Sequence, residues 1–167
     1  MNLPAHHFLD QLGISYETRS FPPETEKGAA AVARVLGFRE RQMVKTLIFQ
    51  VATGESVLVL VGGDQSVISG HLKQVVGSRN IAMASGETVR AVTGYAIGSI
   101  PPFGWQPDGL RSFVDASLMH EPVLGVGAGQ WGEEILIAPA DLVRAARATV
   151  VNLTDRERPA RPMEPGG

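Results

Sequence analysis

The sequence predicts an α+β fold, a single domain in which helices surround a mixed, partly closed β-sheet. Strand-like segments come at hairpin spacing and are mixed with helices, whereas a doubly wound fold alternates the two strictly. The chain has 167 residues, 44% of them hydrophobic, enough for one core. Nineteen glycines and eleven prolines imply many turns without reaching a low-complexity composition.

The elements follow in order. Leu3, Phe8, Leu9 and Leu12 repeat at helical spacing and Gly13 offers a left-handed cap, so Pro4 to Leu12 reads as a helix. Ile14 to Arg19 alternates like a strand. After the rigid turn at Pro22 and Pro23, Thr25 can cap a second helix through Val35, packed by Ala29, Ala30 and Ala33. Val44 to Val51 and Ser56 to Val61 are β-branched and apolar, and the four residues between them give a hairpin. Gly70 to Val76 reads as a helix, Ile81 to Ala84 as a strand and Glu87 to Val92 as one helical turn. Strands follow at Ser112 to Ala116, Val123 to Val126 and Glu134 to Ala138. Pro139 opens a last helix to Ala148, and Val150 to Leu153 adds an edge strand. The domain is expected over residues 1–154. Residues 155–167 hold three prolines, three arginines and little apolar surface, which predicts a mobile tail.

Composition removes several classes of function. With no cysteine there is no disulfide, no thiolate metal site and no thiol nucleophile. Fifteen basic and 17 acidic residues give a net charge of −2, which argues against a broad grip on a nucleic-acid duplex but allows a local contact. The apolar runs are too short to span a bilayer, and Met1 to His7 has neither the basic start nor the apolar run of a secretory signal. The expectation is a cytoplasmic protein without membrane contact. The four histidines have no helical metal-site spacing; His120 reads mainly as structural. Ser99 and Ser117 lack a nucleophile elbow.

Three segments could carry chemistry. Strand alternation puts Lys45 on one face with Leu47 and Phe49, and Val44, Thr46 and Ile48 on the other. A lysine beside an apolar wall needs a partner and suits a phosphate, carboxylate or carbonyl; a strand-end lysine reaching solvent fits the same pattern. Next comes Thr93 to Gly104, where glycines permit close backbone approach and Pro101 and Pro102 fix the shape, so that N–H groups could be preset toward an oxygen. It is neither a Walker nor a Rossmann loop, and a purely structural loop has the same composition. The third, Gly125 to Gly132, is either a second pocket wall or a tight turn between strands. Of Glu133 and Glu134, alternation lets only one face a pocket, and Glu134 is the candidate.

Taken together, Val44-Lys45-Thr46-Leu47-Ile48-Phe49, Thr93-Gly94-Tyr95 with Gly98-Ser99-Ile100-Pro101-Pro102-Phe103-Gly104, and Gly127-Ala128-Gly129 before a strand resemble the YbaK/EbsC family, the trans-editing relatives of the prolyl-tRNA synthetase insertion domain. The resemblance covers Ala29 to Val151. It implies a barrel-like mixed sheet and an aminoacyl-tRNA deacylase that removes cysteine or alanine mischarged onto proline tRNA. It implies no metal or organic cofactor, and as partners the aminoacylated 3′ end of tRNA and prolyl-tRNA synthetase.

By the same resemblance Lys45 and Gly98 are the catalytic positions. Thr46, Ser99, Ile100, Pro102, Ala128, Gly129 and Glu134 would contact substrate, with Glu134 where some members have aspartate. The chain departs from the cysteine-specific members in Pro22 to Gly28, and from the alanine-directed branch in lacking a histidine after Gly129. A non-catalytic tRNA- or aminoacyl-adenosine-binding module and a hydrolase of small free esters would carry the same residues, and turnover separates them.

Overall fold

The computed structural model describes residues 2–161. Helix α1 (Pro4–Leu12) is followed by β1 (Glu17–Ser20), α2 (Ala29–Leu36), β2 (Lys45–Val51), β3 (Ser56–Val61), α3 (Ser69–Val76), β4 (Ile81–Met83) and α4 (Gly86–Thr93). The chain continues through β5 (Arg111–Asp115), β6 (Leu124–Gly127), β7 (Glu133–Ile137), α5 (Pro139–Ala146) and β8 (Thr149–Val151). Short 3-10 turns cover Glu40–Gln42 and Ala116–His120.

The strands form two sheets. One has the order β4-β2-β3-β5-β8, antiparallel through β3 and parallel from β3 to β8; the other, β1-β7-β6, is wholly antiparallel. Within the hairpin Lys45 lies opposite Val61 and Phe49 opposite Val57. The sheets touch where Met43 bridges Gly125 and the Val44 amide donates to the Gly125 carbonyl at 2.9 Å. Neither sheet closes on itself, so the expected mixed α+β domain is present and the barrel-like closure is not.

Strand β3 is central, and Val57 to Val61 are all without exposed surface. That is the continuous apolar run required of a strand covered on both faces, each side chain contributing about 1.5–3 kcal/mol by burial. On one face Leu58 and Leu60 join Ile48, Val114, Val126, Ile135 and Ile137 between the sheets, with α1 and α5 closing the layer through Leu9 and Leu142. On the other, Val57, Val59 and Val61 pack with Leu72, Val75 and Phe113 beneath α3. Alternation in β2 is as read from the sequence: Leu47 and Phe49 lie against the α3 layer, and Val44 and Ile48 against the intersheet layer.

Strand β1 starts at Glu17 and not at Ile14, and three further differences each have a local reason. Thr25 does not cap α2, because its amide closes a turn onto the Pro22 carbonyl at 2.9 Å; the helix starts at Ala29 after Gly28, whose φ of +115° suits glycine. The single turn expected at Glu87 is a full helix, α4, since the Ser85 side chain accepts from the Thr88 amide at 3.2 Å and caps it. Beyond Asp155, where a mobile tail is expected, residues 155–161 fold back onto the domain. Ala160 is buried, its carbonyl accepts from the Asn152 amide at 2.7 Å, and Arg161 donates to the Val75 carbonyl at 3.1 Å. Residues 162–167 of the expected tail lie outside the described residues.

Candidate functional site

The seam between the two sheets opens into a cavity of about 520 Å³, a size typical of small-ligand sites. Its walls come from four places: the entry to α2 (Lys27 to Ala29, and Val32), the start of β2 (Met43 to Leu47), the loop at Ile97, Gly98 and Ile100, and Gly127, Trp131 and Glu134 on the β6–β7 hairpin. The β2 residues reach it because the bridge at Met43 holds the start of β2 beside β6.

Lys45 is half-buried at the first position of β2, and its ammonium donates to the Gln65 carbonyl. The acceptor residue is itself held. The Gln65 side-chain oxygen lies 2.8 Å from the Ser117 hydroxyl, and the Gln65 amide donates to the Thr154 hydroxyl at 3.1 Å. Both hydroxyls donate onward to the fully buried Asp115 carboxyl, which also accepts from the Leu153 amide at 2.7 Å. Lys45 thus lines the cavity and is tied to a buried polar network behind it.

The loop after α4 is stiff for reasons visible in its residues. The Thr93 hydroxyl donates to the Val89 carbonyl at 2.8 Å and accepts from the Tyr95 amide at 3.0 Å. Farther on, the Trp105 indole donates to the Pro101 carbonyl at 2.6 Å and the Gln106 amide to the Pro102 carbonyl at 2.7 Å. Ile100 and Phe103 plug the loop into the core. Gly98 has φ +93°, which exempts it from the side-chain strain another residue would carry. The Ser99 amide is already used by the Ala96 carbonyl, at 3.1 Å; the amides of Gly98 and Ile100 have no protein acceptor among the described residues.

The two glycine-rich segments fit one another. A Cβ on Gly127 would lie 3.2 Å from the Ile100 carbonyl oxygen, and one on Gly129, at φ +104°, 2.7 Å from the Tyr95 ring. Side chains at either position would push the loop off the β6–β7 hairpin. This contact is the physical reason for the joint occurrence of the two motifs.

Glu134 sits opposite Gly127 on β7, is 9% exposed and makes no side-chain hydrogen bond or ion pair among the described residues. Burial alone pushes its carboxyl up to about 8, so the group is largely protonated at neutral pH. At the mouth, the Lys27 ammonium lies 3.8 Å from the Trp131 ring centroid; the indole meets Phe21 edge-on at 4.9 Å and donates to the Pro23 carbonyl at 3.0 Å.

Of the residues singled out from sequence, Lys45, Thr46, Gly98, Ile100 and Glu134 line this cavity together. Ser99, Pro102, Ala128 and Gly129 stand one layer back: Ala128 and Pro102 are buried, Ser99 holds the loop turn and Gly129 abuts Tyr95. Reading the sequence missed Lys27, Val32 and Met43, and did not pick out Ile97 and Trp131 individually within the two glycine-rich segments. Trp131 lies within the third glycine segment and was findable there; Lys27 and Val32 arrive from a distant helix entry and carry no motif. A shallower depression of about 620 Å³ along β4 has Arg79 as its one ionisable lining group. Among the described residues no three His, Asp or Glu side chains converge to hold a metal ion, and no helix is long and apolar enough to cross a membrane.

Known proteins share this fold and part of its sequence. The model of the aminoacyl-tRNA editing domain matches residues 23–145. A multifunctional Ser/Thr-tRNA deacylase, ProXp-y of Escherichia coli K12, is 28% identical over 126 residues, covering 73% of this chain and 75% of that protein. The proline–tRNA ligase of Maridesulfovibrio salexigens is 37% identical over 99 residues, 59% of this chain and only 17% of the ligase, so the likeness is confined to one part of that larger enzyme. A solved structure described as a candidate trans-editing enzyme for prolyl tRNA synthetase superposes with a TM-score of 0.83 at 27% identity, covering 93% of this chain and 99% of the other. The match to the domain model spans most of the chain and every segment of the cavity wall, and the chain belongs to the aminoacyl-tRNA editing domain family.

Proposed function

We propose that the protein is an aminoacyl-tRNA deacylase acting in trans, which hydrolyses the ester joining a small, wrongly attached amino acid to the 3′ end of tRNA. The observation that carries this reading is the convergence on one cavity of Lys45, of Gly98 and Ile100, whose amides have no protein acceptor among the described residues, and of the buried Glu134. The family membership and the deacylase relative support it.

An aminoacyl ester is already activated, so orientation, polarisation of its carbonyl and a water molecule suffice. In this reading Lys45 holds the terminal phosphate or ribose, and the amides of Gly98 and Ile100 receive the carbonyl oxygen as negative charge develops on it. Water adds to the carbonyl carbon, the bond to the ribose oxygen breaks, and that oxygen takes the proton. Free amino acid and intact tRNA leave. Contact with the 3′ end alone needs few phosphate contacts and accommodates a net charge of −2.

A cavity of about 520 Å³ that must also take the terminal ribose suits alanine, cysteine, serine or threonine. The proline tRNA charged with each of these, and with proline, is the substrate panel, with prolyl-tRNA synthetase added in a parallel series to test it as a partner. Rapid loss of one or more noncognate residues with proline spared supports editing. Lys45→Ala is expected to lower kcat/KM about 100-fold or more, in line with loss of one charged contact to the reacting end, while leaving the melting temperature near that of the wild type. No hydrolysis of any ester by folded wild-type protein sinks the reading.

A further inference from the structure

The deacylase reading explains Lys45 and the Gly98 loop but assigns no particular partner to Glu134. Its carboxyl is nearly excluded from solvent, faces the cavity, and has neither a hydrogen bond nor an ion pair among the described residues. The charged groups around it are all engaged elsewhere. Lys45 on β2 is bound to the Gln65 carbonyl, Lys27 ahead of α2 lies over Trp131, and Arg19, its neighbour on β1, pairs with Glu17 at 2.8 Å.

Space around the carboxyl is kept by glycine. A Cβ on Gly125 would stand 2.5 Å from the Met43 methyl and 3.2 Å from a Glu134 oxygen, so no side chain fits between them. Next along β6, the carbonyl oxygens of Ser99 and Ile100 lie within 3.4 Å of the point a Cβ on Gly127 would occupy. Gly127, opposite Glu134, thus packs directly against the loop, and Ile100 and Glu134 line the cavity together, the carbonyl of the one and the carboxyl of the other both able to accept hydrogen bonds.

A buried acid without a partner is costly, and an amide of the same shape would serve a neutral hydroxyl ligand equally well. A cation is the ligand for which a carboxyl is better than an amide. On the reading of the preceding subsection the bound aminoacyl group brings one, its α-ammonium, which has three protons to donate; as it enters, the carboxyl passes the proton it holds in the empty site to the amine or to solvent and becomes its counter-ion. We propose that Glu134 is a specificity residue that receives the free α-amino group of the bound amino acid, so that the site accepts unblocked aminoacyl ends and rejects N-acylated ones. Peptidyl and N-formylated ends would be refused for want of the charge, in addition to their bulk.

The test uses stable amide-linked ligands, so that it does not depend on turnover: 3′-(L-alanylamino)-3′-deoxyadenosine and its N-acetyl derivative, titrated calorimetrically at pH 7 into the full chain. Wild type is expected to prefer the free amine by about tenfold or more, the range of a charge-assisted hydrogen bond. Glu134→Gln should bring the two ligands within about twofold, chiefly by weakening the free amine, and Glu134→Asp should restore part of the preference. Because glutamine keeps the shape and removes a buried ionisable group, that variant should melt no lower than wild type. Equal binding of both ligands to wild type, failure of both to bind, or an unchanged preference in Glu134→Gln would each overturn the assignment. Hydrolysis of alanyl-tRNA, measured beside it, judges the deacylase reading separately: selective binding without turnover would retain the role of Glu134 and discard the enzyme.

Discussion

Asp115 and Glu134 are both carboxylic acids withdrawn from water, and they could hardly be treated more differently. Asp115, at the end of β5, accepts from the Ser117 amide and hydroxyl, the Leu153 amide and the Thr154 hydroxyl, and has no exposed surface. Glu134, at the hairpin end of the β6–β7 pair, accepts from no protein group among the described residues and borders a cavity. A saturated buried acid is scaffolding: its donors tie the segment after β8 to β5 and, through Ser117, Thr154 and Gln65, to the carbonyl that holds Lys45. An unsaturated one beside a cavity is the position our proposal assigns to the ammonium of a bound amino acid. The difference lies in the neighbours and not in the residue type.

Removing each acid should separate the two roles. Asp115→Ala leaves two amides and the Thr154 hydroxyl without an acceptor inside the protein, the Ser117 hydroxyl turning to the Gln65 oxygen, and is expected to cost about 3 kcal/mol in urea unfolding at pH 7. A loss below about 1 kcal/mol would mean that water replaces the carboxyl and that the network is not structural. Asp115→Asn keeps the shape and should lose less. Glu134→Gln under the same conditions should lose nothing.

The second consequence concerns pH, and its sign follows from the direction of the shift. In the unfolded chain the Glu134 carboxyl releases its proton near 4.5, whereas in the folded chain burial holds it to about 8. Between those values the native state carries a proton that the unfolded state has lost, so this group makes stability fall as pH rises from about 5 to 8 and then level off. Water in the cavity moderates the cost, and about 2 kcal/mol of wild-type stability is expected to be lost across the window. Unfolding free energies for wild type and Glu134→Gln at pH 5, 7 and 9 check it: the gap between the two proteins should widen in favour of the variant with rising pH. A gap independent of pH would show that the carboxyl is already paired or well solvated.

The same contrast explains what could be read from the sequence. The core was legible because burial leaves a pattern: the uninterrupted apolar run of β3 and the alternation of β2 each follow from the number of covered faces. Lys45 and Glu134 were legible too, the first as a charge in an apolar strand and the second by its phase on β7. The Asp115 network was not, because Gln65, Ser117 and Thr154 are ordinary polar residues brought together by the parallel pairing of β3, β5 and β8. The fold-back of residues 155–161 was hidden for a related reason. Its anchors are the Asn152 side-chain amide donating to the Asp155 and Arg158 carbonyls and the small Ala160 in a pocket, and neither has a compositional signature. Closure of the sheet into a barrel depends on strand pairings that hydrophobic phase does not encode.

The smallest effect is expected at the cavity mouth, where Lys27 covers Trp131. Lys27 is exposed and Trp131 is already fixed by Phe21 and the Pro23 carbonyl, so the ammonium is not needed to hold the ring. Its value lies in adding a positive charge to the rim of a site whose proposed substrate arrives with phosphates. Lys27→Ala should therefore leave the melting temperature and kcat unchanged while raising KM about two- to threefold at low salt, with the difference shrinking as ionic strength rises. Lys45→Ala should instead lose activity at every salt concentration, because its contact is made inside the cavity where counter-ions do not screen it. If the two lysine variants showed the same salt dependence, Lys45 too would be acting as a rim charge, and the division between an exposed mouth and an interior of fixed partners would fall.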